Sequence, residues 1–334
     1  MTPSSPPADT RATRRFDATR AAPWPGWAPI LAEVPLFGGL PKRHLKKVAD
    51  LAELRWYGDG RTLTRTGAPG DAFFAILEGR ARVRTPSGHT RTLEAKECFG
   101  ELALIDGAPR SATVVSSGGV SAARIQRAAF LRLLREEPGI AAGLARGLVA
   151  TVRDLEESLG PAQAVAGAVP GRSTEPASSP SEPAEAPGSR AAAREAVRIA
   201  LPLLPGVPLF AALPRRHLRR VARIAELRRY RDGSVVVRAG ARGTVFYAIV
   251  DGRADAVPPG GKARVLGPGE CFGEFSLLDG APRSATVSAV GKLGTLRIER
   301  AAFLKLMNEE PGMAMGVVRG LVALIRELER EGPG

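Results

Sequence analysis

Residues 97–114 read E-C-F-G-E-L-A-L-I-D-G-A-P-R-S-A-T-V, and residues 270–287 read E-C-F-G-E-F-S-L-L-D-G-A-P-R-S-A-T-V. Three of the 18 positions differ: Leu102 against Phe275, Ala103 against Ser276, and Ile105 against Leu278. Such agreement within one chain marks a duplicated unit with a duplicated task. The composition of the stretch is that of an anion cradle. Gly100 and Gly273 let the backbone approach a ligand closely. A short helical turn opening at Gly-Glu aims free N–H groups at an anion. Arg110 and Arg283, nine residues after Glu101 and Glu274, can supply a bidentate fork for phosphate oxygens.

The repeat extends outward from this stretch. Val34-Pro35-Leu36-Phe37 returns as Val207-Pro208-Leu209-Phe210, an offset of 173 that also relates His44 to His217, Phe73 to Phe246, Gly79 to Gly252 and Pro138 to Pro311. One unit therefore covers residues 34–158 and the other residues 207–331. Residues 1–33 form a Pro-, Ala-, Thr- and Arg-rich arm expected to be disordered. Residues 159–206 contain G-R-S-T-E-P-A-S-S-P-S-E-P-A-E-A-P-G-S and read as a flexible linker, with a short helix expected at 190–199. A linker of about 40 residues holds its ends roughly 35 Å apart on average.

Within each unit the pattern is helix, many short strands, then helices. Leu45, Val48, Leu51 and Ala52 recur at helical spacing and predict a helix over 41–53, with Pro41 in its first turn. Strands are expected at 61–65, 71–77, 81–84, 90–93, 112–115 and 122–125, separated by turn signals. Helical spacing resumes at Phe130, Leu131, Leu133 and Leu134, breaks at Glu136-Glu137-Pro138-Gly139, and continues in an amphipathic helix to about Ser158. The fold class is mainly β with α: two tandem β-barrel or jelly-roll domains, each with an N-terminal helix and C-terminal helices.

Several function classes are excluded or disfavoured. The chain opens M-T-P-S-S-P-P, unlike a secretory signal, and its most apolar stretch, 199–213, is broken by Pro202, Pro205 and Pro208, so no membrane span is expected. Cys98 and Cys271 are repeat equivalents, which argues against a disulfide framework and fits a reducing cytoplasm and packing behind the cradle. No metal-spaced His/Cys set, phosphate-binding Gly-x-x-x-x-Gly-Lys loop or Gly-x-Ser-x-Gly elbow is present, so the reading is not an enzyme. The net charge of +14 raises nucleic acid as a partner. Its densest clusters, residues 42–47 and 215–220, read as solvated helix faces without a nucleic-acid signature, so DNA is disfavoured. Phe73, Phe74, Phe246 and Tyr247 read as core, and His44, His89 and His217 as structural or solvated.

The F-G-E-[LF]-[AS]-L-[IL]-D-G-A-P-R-S-A-T-V stretch resembles the phosphate-binding cassette of cyclic nucleotide-binding domains. The resemblance covers both repeats, about 250 residues. It implies an eight-stranded barrel, and the tandem pair is similar to the regulatory subunit of the cAMP-dependent protein kinase and to the sensor of bacterial catabolite-activator-type regulators. By this resemblance the ligand is cAMP or cGMP. Glu101 and Glu274 would accept the ribose 2′-hydroxyl, and Arg110 and Arg283 would pair with the cyclic phosphate. Gly100, Leu102 and Ala103, with Gly273, Phe275 and Ser276, would offer backbone N–H groups. Ser111, Ala112, Ser284 and Ala285 would close the cassette, serine after the arginine leaning towards cAMP. Residues 140–158 and 312–331 contain no aromatic, so a lid over the base would be aliphatic. The expectation is a cytoplasmic two-site sensor or regulatory subunit that signals to a protein effector through movement of its C-terminal helix. The rival readings are a binding-dead protein scaffold, a kinase-inhibitory subunit, which the poor Arg14-Arg15 pseudosubstrate match supports weakly, and a DNA-associated regulator.

Overall fold

In a computed structural model the chain is described over residues 27–159 and 190–331. The arm with Arg11, Arg14, Arg15 and Arg20, and most of the linker, lie outside the described residues.

The first repeat runs α1 (Ala28–Glu33), a 3-10 turn (Pro35–Phe37), α2 (Lys42–Ala49), β1 (Glu53–Tyr57), β2 (Thr62–Thr64), β3 (Ala72–Arg84), β4 (Thr90–Leu93), β5 (Cys98–Phe99), α3 (Glu101–Asp106), β6 (Thr113–Gln126), α4 (Arg127–Glu136) and α5 (Pro138–Leu159). The second runs α6 (Arg190–Leu203), 3-10 turns at Leu204–Gly206 and Pro208–Phe210, α7 (Arg215–Arg223), β7 (Ala225–Tyr230), β8 (Val235–Val237), β9 (Val245–Val257), β10 (Arg264–Leu266), β11 (Cys271–Phe272), α8 (Ser276–Asp279), β12 (Thr286–Glu299), α9 (Arg300–Glu309) and α10 (Pro311–Glu331).

Each repeat holds one antiparallel six-stranded sheet, ordered β1-β6-β3-β4 in the first and β10-β9-β12-β7 in the second. The sheets are jelly-roll-like and do not close into a ring. Six strands stand where eight were expected because β3 and β6 each run through a corner. Their register shifts between Ile76 and Glu78 and again between Gly79 and Arg80. An irregularity of this kind bends a strand and strengthens its twist. Gly79 sits at φ 85° with the Gly119 carbonyl 2.1 Å from where a Cβ would stand, so no side chain fits the corner.

Sequence periodicity carried the first helix too far. α2 ends at Ala49, and Glu53 to Tyr57 pair with β6 from Arg124 to Val120. The apolar spacing through Leu51 and Ala52 is helical, but the sheet partner decides the conformation from Glu53 on. α1 lies in the span read as arm, and α6 is the short helix expected at 190–199, running on to Leu203. α1 buries Trp27 and Leu31, and α6 buries Ala196 and Ala200. α4 and α5 match the expected break before Pro138.

Two small cores fill the sheets, one around Phe74, Ile76, Leu93 and Val120, the other around Ile249, Leu266 and Leu293. A third core is continuous across both repeats. Its centre is the pairing of α5 with α10, where Leu144, Leu148 and Val152 and their counterparts Val317, Leu321 and Ile325 are fully or almost fully buried. Burying a leucine contributes about 1.5–3 kcal/mol, so this seam is a strong join. α5 continues past it onto α8 and α9 of the second repeat, and α10 onto α3 and α4 of the first. The expectation of two units held loosely apart by their linker is therefore corrected: a shared core holds them together. A chain-statistics estimate counts only the tether and cannot see an apolar face that two helices bury against each other.

Candidate functional site

The cassette is built on a backbone that only glycine tolerates at its entry. Gly100 caps α3 in the left-handed region, at φ 81° and ψ 19°. A Cβ there would stand 2.3 Å from Arg110 Nη1 and 3.1 Å from the Ala72 carbonyl oxygen. Gly273 repeats this at φ 75°, with Arg283 Nη1 1.9 Å from the same imagined Cβ. Glycine and arginine, ten residues apart in sequence, are thus in contact in both repeats.

Arg110 is 7% exposed. Its Nη2 donates to the Ala72 carbonyl, its guanidinium lies 5.8 Å over the Phe74 ring, and Asp71 stands 3.6 Å away. Asp71 is itself largely exposed, so that pairing is weak. Nε and Nη1 find no hydrogen-bond partner among the described residues. Buried donors left unmet call for a partner such as a water or an ion. Arg110 borders a cleft of about 370 Å³ lined also by Thr62, Leu63, Thr64, Arg65, Ala68, Pro69 and Asp71; Gly100, Glu101 and Ser111 do not line it.

The second cassette differs around its arginine, with Thr244 and Tyr247 in the places of Asp71 and Phe74. Arg283 is 9% exposed and donates Nη2 to the Val245 carbonyl, but its Nη1 also donates to Ser276 Oγ at 3.4 Å. Ala103 occupies that place in the first repeat and offers no acceptor. Burial lowers the pKa of both arginines.

Glu101 opens α3, whereas Glu274 precedes α8, whose cap is Phe275. Burial pushes both carboxyls above the ordinary range. Leu102 and Ala103 lie in α3. Ser111 and Ser284 are exposed, and Ala112 and Ala285 half-buried, where the chain leaves the cassette for β6 and β12. Cys98 and Cys271 are free thiols behind the cassettes. Burial pushes Cys98 up to about 12 and Cys271 upward too, so neither is a nucleophile near neutrality. Among the described residues there is no cluster of His, Cys, Asp and Glu fit for a metal, and no helix long and apolar enough to cross a membrane.

The sequence reading missed the groups that reach each cassette from the opposite repeat. Arg153 of α5 donates Nε to Asp279 Oδ2 of α8 at 3.0 Å and lies 5.6 Å over the Phe275 ring. Arg326 of α10 does the same to Asp106 Oδ2 of α3. Arg153 and Arg326, and Asp106 and Asp279, obey the offset of 173, and that recurrence was the available signal.

The fold thus carries a glycine-glutamate entry and a buried arginine twice. The profile of the cyclic nucleotide-binding domain matches residues 54–137 and again 227–310, half of the chain. The chain belongs to the cyclic nucleotide-binding domain family. It is 40% identical over 107 residues to a cAMP-dependent protein kinase regulatory subunit of Aspergillus fumigatus, covering 31% of this chain and 26% of that protein. Against the Blastocladiella emersonii regulatory subunit it is 26% identical over 283 residues, covering 82% of this chain and 57% of that one. The chain thus spans between a quarter and somewhat over half of these relatives. A solved structure of the regulatory domain of Toxoplasma gondii PKA with cAMP aligns over 91% of this chain and 95% of its own at 21% identity, with a TM-score of 0.34.

Proposed function

We propose that the chain is a two-site cyclic nucleotide sensor that signals to a protein partner and carries no catalytic centre of its own. The observation that carries this reading is Arg110: a buried guanidinium over Gly100, with Nε and Nη1 unmet and a cleft beside it. A cyclic phosphate offers two exocyclic oxygens to such a fork. Arg110 and Arg283 take the phosphate, with backbone N–H groups of Gly100, Leu102 and Ala103, and of Gly273, Phe275 and Ser276. Glu101 and Glu274 accept the ribose 2′-hydroxyl. Ser111, Ala112, Ser284 and Ala285 close the far side.

We favour cAMP over cGMP. The serine after each arginine and the similarity to proteins named cAMP-dependent kinase regulatory subunits support that preference. The same similarity makes a protein-kinase catalytic subunit the first partner to test. The two free cysteines agree with a reducing cytoplasm. The units fall at residues 34–158 and 207–331, each with a preceding helix, α1 or α6, packed against it. Ligand at a cassette biases the position of a C-terminal helix: each cassette packs on the short helix of its own repeat, α4 or α9, and on the long helix of the other, α10 or α5. Calorimetric titration of the whole chain with cAMP and cGMP tests the reading. Two equivalents bound, one lost in each of Arg110→Ala and Arg283→Ala, is the expected result. Absence of heat and of thermal shift with both nucleotides refutes it.

A further inference from the structure

We infer that the outer face of the first repeat's sheet binds single-stranded nucleic acid, with Arg80, Arg82 and Arg84 holding phosphates and Trp56 stacking on a base. The inference goes beyond the cyclic-nucleotide reading and does not depend on it.

The second half of β3 alternates strictly. Ala81 and Val83 turn inward to the core around Phe74 and Leu93, and Arg80, Arg82 and Arg84 stand exposed on the opposite face. Alternate residues of an antiparallel strand recur at about 6.8 Å, so the three guanidiniums spring from an evenly spaced row. The row lies within the sheet, flanked by Thr113, Val115 and Ser117 of β6 on one side and by Thr90 and Thr92 of β4 on the other. Arg82 and Arg84 enter no ion pair among the described residues. Arg80 meets Glu94 at 3.3 Å, but both side chains are more than half exposed, so that pairing is weak.

Trp56 is the only Trp, Tyr or Phe that is exposed among the described residues, at 55%. Its ring rests on Gly119, where a Cβ would stand 2.6 Å from Cη2. Gly119 is also the residue whose carbonyl closes on Gly79, one position before Arg80. Leu54, two positions before Trp56, packs into the core between sheet and helices, so strand alternation sets Trp56 on the outer face as well. The ring and the arginine row thus meet at one corner of one surface, where Glu78 and Glu94 are the exposed acids.

The fold requires none of this. At the offset of 173 the second repeat keeps Arg253 for Arg80, but has Asp255 for Arg82, Val257 for Arg84, Arg229 for Trp56 and Lys292 for Gly119. Its equivalent face exposes Val257, Val265 and Val290. The repeats share their cassettes and part company here, as expected of a task held by one of them. A row of cations suits a polymer with a charge on every unit. The exposed ring adds a face on which a base stacks, which an acidic peptide does not need. A duplex is read by a helix or ribbon set into a groove. An unpaired strand lies along a sheet with its bases free to stack.

The test is fluorescence-anisotropy titration of the whole chain with labelled oligo(U) and oligo(dT) of about 12 nucleotides, over a series of salt concentrations. Binding of either strand is expected, and the preference between them separates RNA from DNA. Arg82→Gln combined with Arg84→Gln should weaken binding about tenfold and flatten the slope of log K against log salt by about 1.4, two phosphate contacts at about 0.7 each. Trp56→Ala should cost about tenfold with the slope unchanged, and Trp56→Phe should recover most of that loss. Removing two charges from α7, by Arg215→Gln with Arg219→Gln, should change affinity less than about twofold. All these side chains are exposed, so each variant should keep the parent's Tm. No binding of either strand overturns the inference. So does an α7 loss equal to the β3 loss, an unchanged affinity in Trp56→Ala, or equal competition by a duplex or by polyglutamate.

Discussion

Replacing Arg110 by methionine should cost the first site its ligand and yet make the ligand-free protein more stable. Arg110 is 7% exposed, with Nε and Nη1 unpartnered among the described residues. A buried donor left unsatisfied costs about 1–3 kcal/mol, so the two together cost about 2–6. Against this stands the bond from Nη2 to the Ala72 carbonyl, worth about 1.5–3 kcal/mol for a charged donor. Methionine fills similar space without donors, leaving a net gain of about 1–2 kcal/mol. In a chain of this size that is a rise of a few degrees in Tm. Arg283 provides the internal control. Its Nη1 already reaches Ser276, so Arg283→Met forfeits two bonds and should be neutral or destabilising by about 1 kcal/mol. Differential scanning calorimetry of the two variants without nucleotide, then with saturating cAMP, reads both halves of the argument. If Arg110→Met lowers the ligand-free Tm as much as Arg283→Met, the unmet donors of Arg110 are not what they are taken to be.

Gly100→Ala forces a left-handed φ of 81° on alanine and sets its methyl 2.3 Å from Arg110 Nη1. It should cost about 1–2 kcal/mol of stability and at least about tenfold in cAMP affinity at the first site only, by calorimetry. Leu148→Ala and Leu321→Ala, on the seam between α5 and α10, should each cost about 2–5 kcal/mol. Both repeats should then melt earlier together, in one calorimetric transition. Burial and the neighbouring Glu274 carboxyl raise Glu156 from 4.5 to about 7, against the pull of Arg153. The folded state therefore favours the protonated form. The stabilisation from this group is complete below about pH 4.5 and lost as pH rises through 7. Glu156→Gln should raise Tm at pH 8, by the equivalent of about 1 kcal/mol after allowance for solvent screening, and the gain should vanish towards pH 4.5.

The cassette was readable because its constraints are local. Gly100, Glu101 and Arg110 lie within eleven residues of one another, and the chain states them twice. Strands β2 and β4 were readable for a similar reason, since turn residues bracket them, whereas β3 and β6 were each read as two strands because the glycines at their corners look like turns. β1 was not, because helical spacing through Leu51 and Ala52 runs up to Glu53, and the partner of β1, β6, lies some seventy positions away. The mating of α5 with α10 was invisible for a deeper reason. An apolar stripe declares that it will be covered, not by what. The Pro- and Ser-rich linker suggested independence, and nothing in Leu148 or Leu321 names the other. The latch residues Arg153 and Arg326 looked like ordinary surface charges for the same reason. Only the shared offset, read together with Asp279 and Asp106, carried the information.

The pairing of α5 with α10 has the symmetry of a homodimer contact while belonging to a single polypeptide. Two separate copies meeting through such a surface would part on dilution, and their response would depend on abundance. A covalent connection turns that encounter into an intramolecular one. The assembly therefore stays whole at any expression level. It also escapes a restriction that strict symmetry imposes, because a substitution in one half need not appear in the other. Ala103 and Ser276 are already such a departure, and the two halves are free to answer the same signal at different thresholds.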